Sequence, residues 1–439
     1  MRIAMNHSQA ARAVRLALST LAAVPLLAAC TGDAALAGRY GKAVATAIPL
    51  VEAATGLKFK TPPKVETRTR AELRTFLEGK FDEDQPALEL AGQERAYKLF
   101  GLLPDTLKLR SFLLALLAEQ VVGYYDPATK VLYVVNDSSA GAQAAPSPEL
   151  INVTITHELV HALQDQYLPL DSIAKLHDDN DRTMAAQAVI EGGATYEQLS
   201  VMLGGGNIFA RMPGGWDRIR QTIRDSQGMM PVFATAPMFI QETLLFPYLS
   251  GAEFTKQFKQ KRPGQSTLTR LPVSTEQVMH PEKMLDSLDL PVSVSLPRPN
   301  GASVLYENSL GEFETRLLLH QQLQDVAAAS RGATGWGGDR YLVVNTPQGA
   351  GVTWLSVWDT PFDAAEFRSL LQQAVESRLA LKYGAGGTGA RLRFGGRGRS
   401  VEVLAVTLQG RAAVLYTDVP AGAALNIIDP ARAKMIPAK

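Results

Sequence analysis

Residues 154–164 read TITHELVHALQ, with His157 and His161 four positions apart and Glu158 directly after the first. On a helix, residues at that spacing share one face, about 5–6 Å apart at Cβ. Two imidazoles so placed can hold one ion at the zinc–nitrogen distance of about 2.0–2.1 Å. Glu158 sits about 100° further round. It cannot ligate from the same angle, but it can reach a water on the open side of the ion and take its proton. A catalytic zinc lowers the pKa of that water to about 7, within reach of a carboxylate base. The alternative is a pair of core histidines satisfied by hydrogen bonds. Ile155, Leu159, Val160 and Leu163 surround the pair with apolar side chains. A charged imidazole is costly in such surroundings, and metal ligation removes that cost.

Zinc needs a third protein ligand. The pattern HExxHxxGxxH is excluded, because Gln164 stands where the glycine belongs and Tyr167 where the third histidine belongs. Downstream lies AVIEGGATYEQ. Met184, Ala188, Glu191 and Thr195 form a stripe at helical spacing. Gly192 and Gly193 cost about 1 kcal/mol each inside a helix, which close packing against a second helix would explain. A glutamate on a small-residue stripe against the histidine helix gives a His₂Glu site of His157, His161 and Glu191. His177 is a rival third ligand in an acidic loop, and His320 reads as a helix residue of the C-terminal part.

HELVH followed by EGGATY resembles the gluzincin metallopeptidases, and the EGxAxY form is closest to their aminopeptidase branch. The resemblance covers residues 120–200 or so. It implies one Zn²⁺ held by His157, His161 and Glu191, with Glu158 as the base, hydrolysing peptide bonds. It also implies a zincin-like domain with a mixed sheet, an active-site helix and a mainly helical second lobe. The sequence departs from the family in several places. Twenty-nine residues separate His161 from Glu191, longer than the usual gap. The asparagine before Glu191 and the aspartate four residues after it that the thermolysin type carries are missing, and Asp165, one turn past His161, is the expected substitute. The GxMxN element of aminopeptidases is missing, which favours an endopeptidase or a restricted specificity. A donor for the developing oxyanion is required. His280, in the turn-like STEQVMHPEKM, is the first choice, with Tyr196 and Tyr248 as the others.

These groups need elements to hold them. Ser147, Pro148 and Glu149 read as N-cap, first helical residue and first-turn acid of a helix running to about Tyr167. VVGYYDPATKVLYVV reads as a hairpin, placed by the resemblance as the edge ladder beside the cleft. Tyr124, Tyr125 and Tyr133 are equally read as sheet packing. Residues 34–56 are weakly helical. Thr69 and Glu72 form a capping box opening a helix towards Gly79. Further helices are expected over 92–100, 106–120, 182–203 and 237–261, the last interrupted near Pro247. MLGGGNIFARMPGGW is a Gly-rich loop, and PVSVSLPRPNG a linker. From about Gly301 an α+β pattern begins. Domains are therefore expected over 65–295, a metallopeptidase domain, and 300–439, a smaller α+β domain.

The 439 residues are 46% hydrophobic and carry 44 basic against 43 acidic side chains, for a net charge of +1. No global field points to nucleic acid. KQFKQKR at 256–262 reads as a solvated helix face, and GAGGTGARLRFGGRGRS as a solvated loop. Residues 1–29 carry three arginines, no acid and an apolar run too short to span a bilayer, as a signal peptide does. The run ends in LAAC at 27–30, which resembles a bacterial lipobox. That resemblance implies cleavage before Cys30, lipid on Cys30, a 30–64 linker, and a protein anchored to a membrane outside the cytoplasm. Thr31 in place of a retention aspartate leans towards an outer leaflet or an outer membrane. Cys30 is the only cysteine, so no disulfide can form within the chain. The rival to the peptidase is a non-catalytic zinc-binding or peptide-binding envelope lipoprotein. Glu158 argues against it, because a binding module needs no base beside its metal.

Overall fold

The computed structural model describes residues 39–84, 86–136, 147–170, 179–204, 230–382 and 384–437. The signal segment 1–29, Cys30, His177 and nearly all of the Gly-rich loop lie outside these. The chain is a mixed α+β structure with several sheets.

In the N-terminal part, α1 (Gly41–Thr55) leads into β1 (Lys64–Arg68). The capping box is present: Thr69 Oγ1 accepts from Glu72 N, and Glu72 Oε2 accepts from Thr69 N. The helix it opens, α2 (Arg70–Asp84), runs past Gly79. Then come α3 (Ala87–Leu99), α4 (Leu109–Gln120) and the hairpin of β2 (Gly123–Asp126) and β3 (Val131–Val135). β1 pairs parallel and β2 antiparallel with β3, so β2 is an edge of a mixed three-stranded sheet.

Ser147 caps α5 (Pro148–Tyr167), its Oγ accepting from Leu150 N at 3.2 Å. Asp179 caps α6 (Asn180–Met202) in the same way through Arg182 N. α7 (Met238–Lys261) passes through Pro247 without interruption. A proline forfeits one helical hydrogen bond. Here packing offsets that loss, since Phe246, Pro247 and Tyr248 are all buried. Within the basic run of α7, Lys259 pairs with Glu197 and Ala54 O, so that face is partly docked onto α6.

The expected linker is instead a strand. β4 (Val292–Ser295) pairs antiparallel with β11 (Lys434–Pro437) at the far end of the chain. β5 (Ser303–Asn308) opens a six-stranded antiparallel sheet of order β5-β6-β7-β10-β9-β8, with α8 (Gly311–Leu323) between β5 and β6. β6 is Trp336–Thr346 and β7 Gly349–Trp358, followed by α9 (Pro361–Arg378). The glycine-rich segment forms β8 (Arg391–Gly396) and the start of β9 (Arg399–Leu408), paired as a hairpin, before β10 (Arg411–Pro420). Arg391 and Arg393 both bond Glu402 across that pair, which accounts for arginines that otherwise read as loop.

One apolar cluster runs from Leu73 and Phe100 through Val189, Phe246 and Phe313 to Trp354 and Tyr416. The apolar core therefore continues across residues 295–300. A second cluster lies between the sheet and the β4–β11 pair. A third, with Val44, Leu132, Ile155, Leu159 and Val160, lays β3 and α1 against α5. Among the described residues no helix is long and apolar enough to cross a membrane.

Candidate metal centre

α5 and α6 bring three acceptor atoms together. His157 Nε2 lies 3.1 Å from His161 Nε2, and Glu191 Oε2 lies 3.5 and 3.2 Å from the two. All three residues are at least 97% buried. Two ligand atoms on a tetrahedral zinc at about 2.0–2.1 Å are roughly 3.3–3.4 Å apart. The three edges of the observed triangle, 3.1, 3.2 and 3.5 Å, all lie within about 0.3 Å of that spacing.

The ring tautomers make the case chemical as well as geometric. His157 Nδ1 is 3.0 Å from Gln198 Oε1, and His161 Nδ1 is 2.8 Å from Gln164 Oε1. Gln164 Nε2 donates to Ile190 O at 3.0 Å, which fixes its carbonyl towards the imidazole. With each Nδ1–H donated to a glutamine oxygen, both Nε2 atoms present lone pairs. Two lone pairs and a carboxylate facing one point inside a protein repel unless a cation or proton joins them. The donor set and spacing fit zinc.

Close packing brings Glu191 to this point. A Cβ on Gly192 would stand 2.0 Å from the backbone carbon of Gly251 on α7, and one on Gly251 would stand 1.9 Å from Ala188 O. The pair lets α6 and α7 touch backbone to backbone. Gly193 faces the other way, and its missing Cβ leaves room for the Gln164 amide 3.1 Å off. The two glycines thus serve different neighbours.

Glu158 is fully buried and close enough to both histidines to join their cluster. Its Oε2 accepts from Tyr125 N at 2.7 Å. Val135 N donates to Val122 O, so the ladder bonds fall at Val122, Tyr124 and Asp126. The Tyr125 amide therefore points off the open edge of β2, towards Glu158. Tyr125 OH donates to Asp165 Oδ2, which also holds Lys130, while Asp165 Oδ1 accepts from Leu170 N. Asp165 is thus committed to β2 and the chain after α5, and the side chain that reaches the His161 ring is Gln164 instead. Tyr124 stacks on Phe76 and leans on Tyr133, in line with sheet packing.

Of the three oxyanion-donor candidates, Tyr248 is at the site. Its ring stacks 6.2 Å from that of His157, and it lines the same cavity as Glu191. Tyr196 lies under the Lys259 ammonium. His280 is placed elsewhere: it closes the short helix Thr275–Met279, with Nε2 2.9 Å from Glu312 Oε1, and takes no part in lining that cavity. The contact with Glu312, ahead of burial acting the other way, pushes the His280 pKa up. His320 lies on α8, as read. A second acidic group, Glu276, Asp289 and Asp359, surrounds Lys283 Nζ at 2.6, 2.9 and 2.9 Å. Its cation is already supplied by the protein.

Sequence reasoning missed Gln164, Gln198 and the Tyr125 amide. Gln164 stands at i+3 from His161 and Gln198 two turns after Glu191, so helical spacing alone offered both as partners.

Residues 303–427, spanning β5 to β10, match a domain of unknown function (DUF8575). The match leaves His157, Glu158, His161 and Glu191 outside. No curated protein and no solved structure matches the chain.

Proposed function

We propose that the chain is a zinc-dependent peptidase of the gluzincin type, acting as an endopeptidase. The observation that carries this reading is the buried triangle of His157 Nε2, His161 Nε2 and Glu191 Oε2 at zinc-ligand spacing. Its two imidazoles are oriented by glutamine oxygens, and a glutamate stands beside it. A bound zinc ion supplies Lewis acidity, polarising a carbonyl and acidifying a water. Glu158 takes the proton of the attacking water and delivers it to the leaving amine. The Tyr125 amide holds Glu158 Oε2 and so aims the carboxyl. Tyr248 is the donor that would meet the developing oxyanion, in preference to His280. The open edge of β2 offers an extended peptide a strand to pair with.

In this reading residues 65–295 form a zincin-like domain and residues 300–439 a smaller α+β domain. Lipid on Cys30 would hold both outside the cytoplasm, on a membrane surface. The substrate is a peptide or protein and not a nucleic acid.

The test measures bound metal per chain and cleavage of an unbiased peptide library, for the chain from Thr31 onward and its Glu158→Gln variant. One zinc in both, with cleavage only in the wild type, is expected. One zinc with cleavage in neither would favour a binding protein. Absence of zinc from both would end the metal reading.

A further inference from the structure

An elongated cavity of about 120 Å³ runs between α3, α4, α6 and α7. Glu191 and Tyr248 are at one end, and Asn180, Tyr97 and Glu314 at the other. Asn180 and Glu191 stand three turns apart on α6, about 16 Å at 1.5 Å per residue. The wall between them is largely apolar, with Leu109, Leu113, Met184, Phe239, Ile240 and Leu244. No lysine or arginine lines it.

The far end is chemically incomplete. Glu314 comes from α8, in the segment matched as DUF8575, and is 2% exposed. Its Oε1 accepts from Tyr97 OH and from Asn180 Nδ2, both at 2.8 Å. Its Oε2 is also buried and has no hydrogen-bond partner among the described residues. Burial pushes the carboxyl up to about 8, with Asp339 adding to the rise while Tyr97 and Asn180 oppose it. A buried carboxyl atom without a partner costs free energy. Two donors already favour charge on this group, and its charged neighbour is another acid. What the site lacks is a cation.

We propose that this cavity binds an apolar chain ending in a primary ammonium, with the ammonium against Glu314 Oε2. The amino terminus of an apolar peptide and a lysine side chain both present that group on an apolar stem. On binding, Glu314 gives its proton to solvent and the carboxylate pairs with the ammonium. Binding below pH 8 therefore releases a proton and tightens as pH rises towards that value. The inference rests on the cavity and Glu314 alone, and stands whether or not the metal centre hydrolyses peptides.

The test is calorimetric titration of the whole chain at pH 7 with n-octylammonium, n-octanol and n-octanoate. Octylammonium is expected to bind at least tenfold more tightly than octanol, with a buffer-dependent heat that reports proton release. Glu314→Gln is expected to remove both the preference and the proton release. Leu113→Trp, which fills the apolar stretch, is expected to weaken all three probes. Leucyl-leucine amide binding that N-acetylation abolishes would identify a peptide amino terminus as the source. Binding of Nα-acetyl-lysine amide would identify the side chain. Equal affinity for the three octyl probes, tighter binding of octanoate, or an ammonium preference that survives in Glu314→Gln would overturn the proposal.

Discussion

The carbonyl oxygen of Gln164 lies 2.8 Å from Nδ1 of His161, and its amide nitrogen is tied to Ile190 O on the neighbouring helix. One side chain thus fixes the tautomer of the His161 imidazole and joins the helix that carries His157 and His161 to the helix that carries Glu191. Replacing it by leucine removes both bonds. Zinc affinity, measured by chelator competition, is expected to fall about 10- to 100-fold in Gln164→Leu. Gln198→Leu is expected to do the same through His157. Unchanged affinity in both would mean that these contacts do not orient the rings.

Tyr248 and His280 make opposite predictions. Tyr248→Phe is expected to lower kcat about 10²- to 10³-fold with zinc content unchanged, the usual loss for one oxyanion donor. His280→Ala is expected to leave peptide cleavage within twofold, because its imidazole is engaged with Glu312. Steady-state kinetics on one cleaved peptide decide between them.

Backbone contact at Gly192 and Gly251 leaves no space for a methyl group. Gly192→Ala and Gly251→Ala are each expected to destabilise by about 1–3 kcal/mol or more, as overpacking does. Gly193→Ala meets only the tip of Gln164, so its expected effect falls on zinc affinity more than on denaturant midpoint.

Stability should also report Glu314. Burial holds its carboxyl up at about 8 in the folded chain, against the ordinary 4.5 of a glutamate. Between those limits the folded state holds a proton that the unfolded state has lost. The contribution is complete below pH 4.5 and is lost as pH rises through 8. The slope is at most about 1.4 kcal/mol per pH unit. Urea midpoints from pH 5 to 9 are expected to fall less steeply in Glu314→Gln than in the wild type.

Asp339 accepts four donors: Leu310 N and Gly311 N at 2.9 Å each, Trp336 Nε1 at 3.0 Å and Trp354 Nε1 at 2.7 Å. It pins the start of α8 to the sheet. Asp339→Ala leaves all four without that partner, at about 1–3 kcal/mol for each that stays buried and unpaired. The expected result is a chain that fails to fold cooperatively in chemical denaturation.

Much of this protein was legible in one dimension because short-range rules govern it. Ser147 and Pro148 start α5, DPAT turns the β2–β3 hairpin, and helical spacing puts His157 and His161 on one face and Glu191 on the stripe of the next helix. What sequence could not supply was the set of partners that arrive from elsewhere. Whether Asp165 or Gln164 reaches His161 depends on how α5 crosses α6. Where His280 goes depends on α8, which supplies Glu312. PVSVS becomes β4 only because the last residues of the chain return to pair with it, and Pro247 stays helical only because tight packing offsets its missing bond. Composition and periodicity act over a few residues, whereas the His157–His161–Glu191 triangle and the Glu314 cavity are set by helix crossings that bring distant segments within hydrogen-bonding distance.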